Sequence, residues 1–223
     1  HIMSQGSLPF KFEAEKKDFG LTGFSGLVLF VDLLHKINFR QLVEKHVNAR
    51  GSKDGWSDFQ MLQSLMLLNL SGGDSVDDIK KLESDCGLVR FFEHLELKNA
   101  FGKNRKKLKR QWRNGLKNTF PSPSSIFRYL SLFHNANCEQ ERESNKAFIP
   151  SSNQYLKGLS GVNQELLEIL QLNRPQHAAT IDMDATLIES NKKSAQFSYK
   201  KFKGYQPLNS WWYEQILFFE FLR

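Results

Sequence analysis

The sequence predicts an α+β protein: a mostly helical region over residues 8–175, followed by a strand-forming segment over 176–223. Three observations carry this. Apolar residues recur at helical spacing through the first part of the chain. At Ala178 the period changes to two, with Ile181, Met183 and Leu187 on one face. The end, Asn209 to Leu222, is dense in β-prone aromatic and branched residues. With 223 residues, 40% hydrophobic and 25% charged, the composition is that of a globular chain of one or two domains.

The elements follow in order. Residues 1–7 read as a tag or disordered start, with His1-Ile2-Met3 as a remnant of cloning. Leu27, Phe30, Val31, Leu34 and Ile37 mark a first helix, and Phe39, Leu42, Val43 and Val47 a second, shorter one. Gly, Ser and Asp make 49–56 a loop. Ser57 is placed to cap a helix that carries Met61, Leu62, Leu65, Met66 and Leu68 and stops at Gly72-Gly73. Asp74 or Ser75 caps the next, whose charge order, Asp77 and Asp78 before Lys80 and Lys81, suits the helix dipole. Leu88 to Leu97 is apolar-periodic again. Ser122 and Pro123 open a helix with the stripe Ile126, Tyr129, Leu130 and Phe133; with Arg128 near its start, it fits the second helix of a helix-turn-helix. Residues 135–158 read as a linker or exposed loop, and Ser160–Leu172 as a helix with Val162, Leu166, Leu167 and Leu170 inward, ended by Pro175. Gln196–Phe202 reads as a second strand and 209–222 as a long one.

Charge is unevenly spread. Residues 1–102 hold 12 Lys/Arg against 14 Asp/Glu, and residues 103–223 hold 19 against 10, so the net +7 arises in the second half. Such asymmetry points to an acidic polymer, most simply nucleic acid. Its densest stretch is 103–117, where Lys103, Arg105, Lys106, Lys107, Lys109, Arg110, Arg113 and Lys117 occur with no acid, as a mobile basic loop or a short basic helix. A polyanion would relieve their mutual repulsion. Lys192, Lys193, Lys200, Lys201 and Lys203 form a second acid-free group, interleaved with Phe197, Tyr199, Phe202 and Tyr205. Cations beside flat rings suit phosphates and stacked bases, or form an ordinary basic hairpin.

Asp182 and Asp184 lie two apart on the expected strand and so share a face, with Thr180 and Thr186. Like charges so placed repel; Mg²⁺, which takes oxygen ligands, removes the penalty, as phosphoryl transfer requires. The alternative is a solvent-facing pair on an edge strand. His134 and Cys138 are four apart, but no second pair follows at zinc spacing. Cys86 and Cys138 give no disulfide framework and read as cytosolic thiols; no apolar run is long enough to span a membrane.

The run from Thr180 to Leu208, TIDMDATLIESNKKSAQFSYKKFKGYQPL, closely resembles the segment around the first catalytic aspartate of bacterial insertion-sequence transposases of the DDE group 1 type. Leu8-Pro9-Phe10-Lys11-Phe12, Leu70-Ser71-Gly72-Gly73 and Pro121-Ser122-Pro123-Ser124 occupy equivalent places in that family. The resemblance implies a helical DNA-binding region followed by the first strands of an RNase H-like domain, and Mg²⁺-dependent cutting and rejoining of transposon ends. It implies Asp184 as the first metal-binding aspartate and Asp182 as an auxiliary carboxylate or a group that supports the metal's ligands from behind. Lys200, Lys203 and Tyr205 would touch DNA near the reacting phosphate. Transposon terminal repeats are the implied DNA, and a second or full-length transposase subunit the implied protein partner. The family also needs a later aspartate and a glutamate, and neither Glu214 nor Glu220 lies where they belong. The resemblance therefore leads us to expect an incomplete catalytic domain, from a truncated product, a fragment or a decayed element. Such a chain would be inactive alone, or a regulator that occupies transposon ends or pairs with complete enzyme.

Overall fold

The structure is a computed structural model that describes residues 20–51, 55–134, 137, 151–175, 178, 180–191, 195–198, 200–212 and 215–222. Among these the protein is α+β, and it packs as two units divided between Ser131 and Leu132. The expected boundary at 175–176 therefore moves forward. The helix over 154–173 packs with the strands, because it contacts the last of them.

The first unit holds helices α1 (Ser25–Lys36), α2 (Phe39–His46), α3 (Asp58–Leu70), α4 (Ile79–Ser84), α5 (Cys86–Asn99), α6 (Gly102–Arg113) and α7 (Pro123–Ser131), with a 3-10 turn over Val76–Asp78. Asn38 makes the corner between α1 and α2. Its left-handed backbone (φ 54°) ends the first helix, and its carbonyl accepts from Gln41 and Leu42 to start the second. α3 is the central helix. Every residue from Trp56 to Leu68 is buried or half-buried, as expected of a helix apolar on most of its circumference. It opens with a capping box, in which the Gln60 amide donates to Ser57 Oγ (3.3 Å) and the Ser57 amide donates to Gln60 Oε1 (2.9 Å). It closes at Gly72, φ +76°, whose amide donates to Asn69 while the Gly73 amide donates to Leu68. That left-handed closure is what glycine permits at low cost.

Carboxylates fasten the outer helices to this core. Asp78 accepts from the Asp74 and Ser75 amides, each at 3.0 Å, and pairs with Lys81 at 2.6 Å. The Lys81 ammonium, then the Ser75 amide, hold its carboxyl down at about 2. Asp85 caps α5 through the Leu88 amide (2.7 Å) and accepts from Gly23 (3.3 Å). Glu83 accepts from the Thr119 and Phe120 amides, at 3.0 and 2.7 Å, which seats the turn leading into α7. The Tyr129 hydroxyl is buried beside Asp58; burial first, then that negative charge, raise its pKa well above the ordinary tyrosine value.

The second unit holds α8 (Gln154–Asn173) and strands β1 (Ile181–Ala185), β2 (Ile188–Glu189), β3 (Gln196–Phe197), β4 (Lys203–Trp212) and β5 (Gln215–Leu222). α8 begins inside the expected linker because Asn153 caps it, accepting from the Tyr155 and Leu156 amides (3.1 and 2.9 Å). Val162 is buried as expected, but Leu170 is exposed and Leu166 and Leu167 are half-buried. All four other strands pair antiparallel with β4.

Three strand expectations change. The single strand expected over 178–188 is split. Ile188↔Tyr205 continues the register of Ala185↔Leu208, so β1 and β2 form one line interrupted opposite Pro207. Pro207 has no amide hydrogen to complete the ladder there; its carbonyl still accepts from Thr186 (3.0 Å). The strand expected over 196–202 ends at Phe197, because Ser198–Lys201 closes a turn with Lys201 at φ 67°. The long strand expected over 209–222 is instead a hairpin, reversing between Trp212 and Gln215, with β4 reaching back to Lys203.

Candidate nucleic-acid interface

The basic segment is a helix. α6 forms over Gly102–Arg113 because its Lys, Arg and Gln residues are strong helix formers and Leu108 and Trp112, four apart, give it an inner face. Trp112 Nε1 donates to Glu96 Oε2 on α5 (3.2 Å), and Lys117 pairs with the same oxygen while lying 5.5 Å from the Trp112 ring. Gly115, φ +62°, closes the helix, donating to Trp112 as Leu116 donates to Gln111.

At 100° per residue, Lys109, Arg113, Lys106, Arg110, Lys103 and Lys107 fall within an arc of about 160° opposite the Leu108 and Trp112 side. All six are exposed, and none has a carboxylate partner among the described residues. Arg105 lies outside the arc and donates instead to the Leu97 carbonyl (3.1 Å). Like charges recur at three- and four-residue spacing along this face. Each such pair costs roughly 0.2–0.5 kcal/mol in an isolated helix. The helix thus carries an uncompensated positive stripe about 15 Å long.

Arg128 sits on the exposed side of α7, where its guanidinium donates to Ser124 O (3.3 Å) and Ser125 Oγ (3.5 Å). Ser122 caps α7, its Oγ accepting from the Ser125 amide (3.3 Å). Of the expected apolar stripe, Ile126 and Tyr129 are buried, but Leu130 is exposed and Phe133 is half-buried, in edge contact with Tyr155. α6 ends at Arg113 and α7 starts at Pro123, so nine residues separate them. A helix-turn-helix uses a turn of about three or four residues, so α6 and α7 do not form one.

In the second unit, Asp182 and Asp184 lie on β1, both exposed, opposite Trp211 and Asn209 of β4. By alternation, positions 203, 205, 207, 209 and 211 share their face of the sheet. Lys203 and Tyr205 are therefore on the same face as the two acids. They are not beside them: six residues from position 209 to Lys203 span about 20 Å, and four to Tyr205 about 14 Å. Lys200 and Lys201 are exposed in the turn, and Lys203 Nζ lies 5.7 Å from the Phe197 ring, its cross-strand partner. Gly204 is required by the close approach of β2, since a Cβ there would strike the Ile188 carbonyl. Lys192, Lys193, Tyr199 and Cys138 lie outside the described residues, as does Leu8–Phe12.

The acid pair supplies the hard oxygen donors that Mg²⁺ takes. Among the described residues, no group of three His, Cys, Asp or Glu side chains is assembled for a metal. The pair thus fits part of a metal shell. No described helix is long and apolar enough to cross a membrane. The sequence reading missed the role of Glu96, whose place sixteen residues before Trp112 gives no local signal. No family model, curated protein or solved structure matches the chain.

Proposed function

We propose that the chain binds duplex DNA and is the DNA-binding part of a DDE-type transposase. The observation that carries the DNA reading is the exposed, acid-free stripe of six cations on α6, held outward by the Leu108 and Trp112 anchor. Duplex DNA carries one phosphate charge per roughly 1.7 Å, so an 18 Å helix meets enough phosphates to neutralise every one of those side chains. The exposed turn with Lys200 and Lys201, and Lys203 beside Phe197, adds a second contact of the same chemistry in the other unit. The transposase assignment rests on the resemblance of residues 180–208.

In this reading Asp184 and Asp182 contribute carboxylates to a Mg²⁺ site, and the ion supplies charge neutralisation at a phosphate when bound. The chain's own part is to hold two oxygen donors on one face of an antiparallel strand. Lys203 and Tyr205 would contact DNA at least two phosphates from the acids, given their separation along β4. The number of donors at this pair favours a second reading, in which the chain occupies transposon ends, or pairs with complete enzyme, without cutting. Two assays on a transposon-end duplex decide between them. Binding that weakens with salt and no Mg²⁺-dependent nicking supports the binding role. Nicking abolished by Asp184→Asn would assign this chain the cutting itself, and salt-insensitive or absent binding would overturn the DNA reading.

A further inference from the structure

α6 stands out from the first unit. Nine of its twelve residues are exposed, and only Leu108, Gln111 and Trp112 are half-buried. It is fastened on one side alone, through Trp112 to Glu96 and Arg105 to the Leu97 carbonyl, both on α5. At about 100° per residue its cations fall into three rows, each of two residues four apart: Lys109 and Arg113, Lys106 and Arg110, Lys103 and Lys107. Neighbouring rows lie about 60° apart around the axis, so the outer two are separated by about 120°. A helix rested on one line of phosphates presents one or two such rows to it and leaves a third facing solvent, its repulsion unrelieved. Two lines of phosphates, one on each flank, are needed to meet all three.

We propose that α6 seats in the major groove of the duplex, one outer row on each strand, with Lys106 and Arg110 over the floor and long enough to swing to either wall. This rests on the DNA reading above and adds the groove, the two-strand contact and the form of duplex. The dimensions support it. A helix about 10–12 Å across carries rows about 120° apart at about 9–10 Å from each other, and the splay of the side chains widens that distance. The major groove is about 12 Å wide and the minor groove about 6 Å, so only the former admits the helix. At a depth of about 8.5 Å the groove leaves the Leu108 and Trp112 side above the rim, where α5 holds it. A-form RNA has a deep, narrow major groove, so an RNA duplex is excluded.

The test uses the whole chain and one labelled duplex in which short A·T runs alternate with C·G pairs. It is offered in three forms: unmodified, with every cytosine carrying a glucosylated 5-hydroxymethyl group, and unmodified but saturated with netropsin. The sugar fills the major groove without changing the phosphate charge, and netropsin fills the minor groove. Glucosylation should weaken binding about tenfold or more at low salt and make the salt slope shallower, while netropsin should leave affinity within about twofold. Lys103→Gln with Lys107→Gln, and Lys109→Gln with Arg113→Gln, each strip one outer row. Each pair should make the slope on the unmodified duplex shallower by about 1.8, and should leave it unchanged on the glucosylated duplex, from which α6 is already excluded. Unchanged thermal midpoints would show both variants folded, and the glucosylation arm needs no variant. An RNA duplex of the same sequence should behave as the glucosylated form. Glucosylation without effect, competition by netropsin instead, or RNA bound like unmodified DNA would overturn the groove assignment. So would a slope that only one of the two outer rows alters. Salt-sensitive binding of the unmodified duplex would in each case leave the DNA reading standing. Salt-insensitive or absent binding of that duplex would overturn both.

Discussion

Neutralising half of the α6 stripe gives the sharpest expectation. The perturbation is the triple substitution Lys103→Gln, Lys107→Gln and Arg110→Gln. All three side chains are exposed and unpaired among the described residues, so the fold should be unaffected within about 0.5 kcal/mol. Each phosphate contact contributes about −0.9 to the slope of log affinity against log salt. Six contacts give about −5 for the intact stripe, so raising salt from about 50 to about 200 mM lowers affinity by about 10³. Removing three should make the slope shallower by about 2.7, and the same change of salt should then cost only about 40-fold. The β3–β4 lysines add to both slopes and leave the difference intact. Fluorescence anisotropy with a labelled duplex, titrated at four or five salt concentrations, measures it. A triple variant with the parent's slope would mean that the stripe touches no phosphate.

Other expectations concern the frame that holds the stripe. Tyr129 is kept protonated by burial beside Asp58, while in the unfolded chain it ionises near pH 10. Stability present below pH 10 should therefore be lost as pH rises above it, and Tyr129→Phe should flatten that decline in urea unfolding between pH 9 and pH 11. Asp78 has the opposite sign: its carboxyl is held at about 2, so its contribution is full above the usual carboxylate value near 4 and is lost as pH falls towards 2. Asp78→Asn should remove that part of the acid dependence. Glu83→Ala strips the acceptor from the Thr119 and Phe120 amides, and should lower unfolding free energy by about 1.5–3 kcal/mol in denaturant titration. Gly204→Ala drives a Cβ against the Ile188 carbonyl, so strand signal in circular dichroism should fall while helix signal holds.

The helical elements were readable where local chemistry decides them. Ser57 and Gln60 stand at capping-box spacing, and Gly72-Gly73 ends α3 in the left-handed turn that its composition announces. Long-range effects were not readable. The break between β1 and β2 comes from Pro207, some twenty residues downstream, and becomes visible only once the register pairs it with Thr186. β4 begins at Lys203, between the strands expected over 196–202 and 209–222, in a lysine-rich stretch with no strong strand pattern of its own; pairing on β2 and β3 makes it a strand. For the site, the positions of the α6 cations were legible, but their outward direction was not, since it depends on Trp112 meeting Glu96 across two helices. The shared face of Asp182 and Asp184 follows from strand alternation, whereas the placing of Lys203 on that face, and its separation from them along β4, needed the register.

In the proposed reading, duplex DNA is held by the cation stripe of α6 and the lysine turn before β4. Amide hydrogen exchange with and without a transposon-end duplex tests it most directly. Added protection is expected over residues 102–113 and 198–205, weakening together as salt rises. Protection confined to other segments, or none at a duplex concentration that saturates binding, would contradict it.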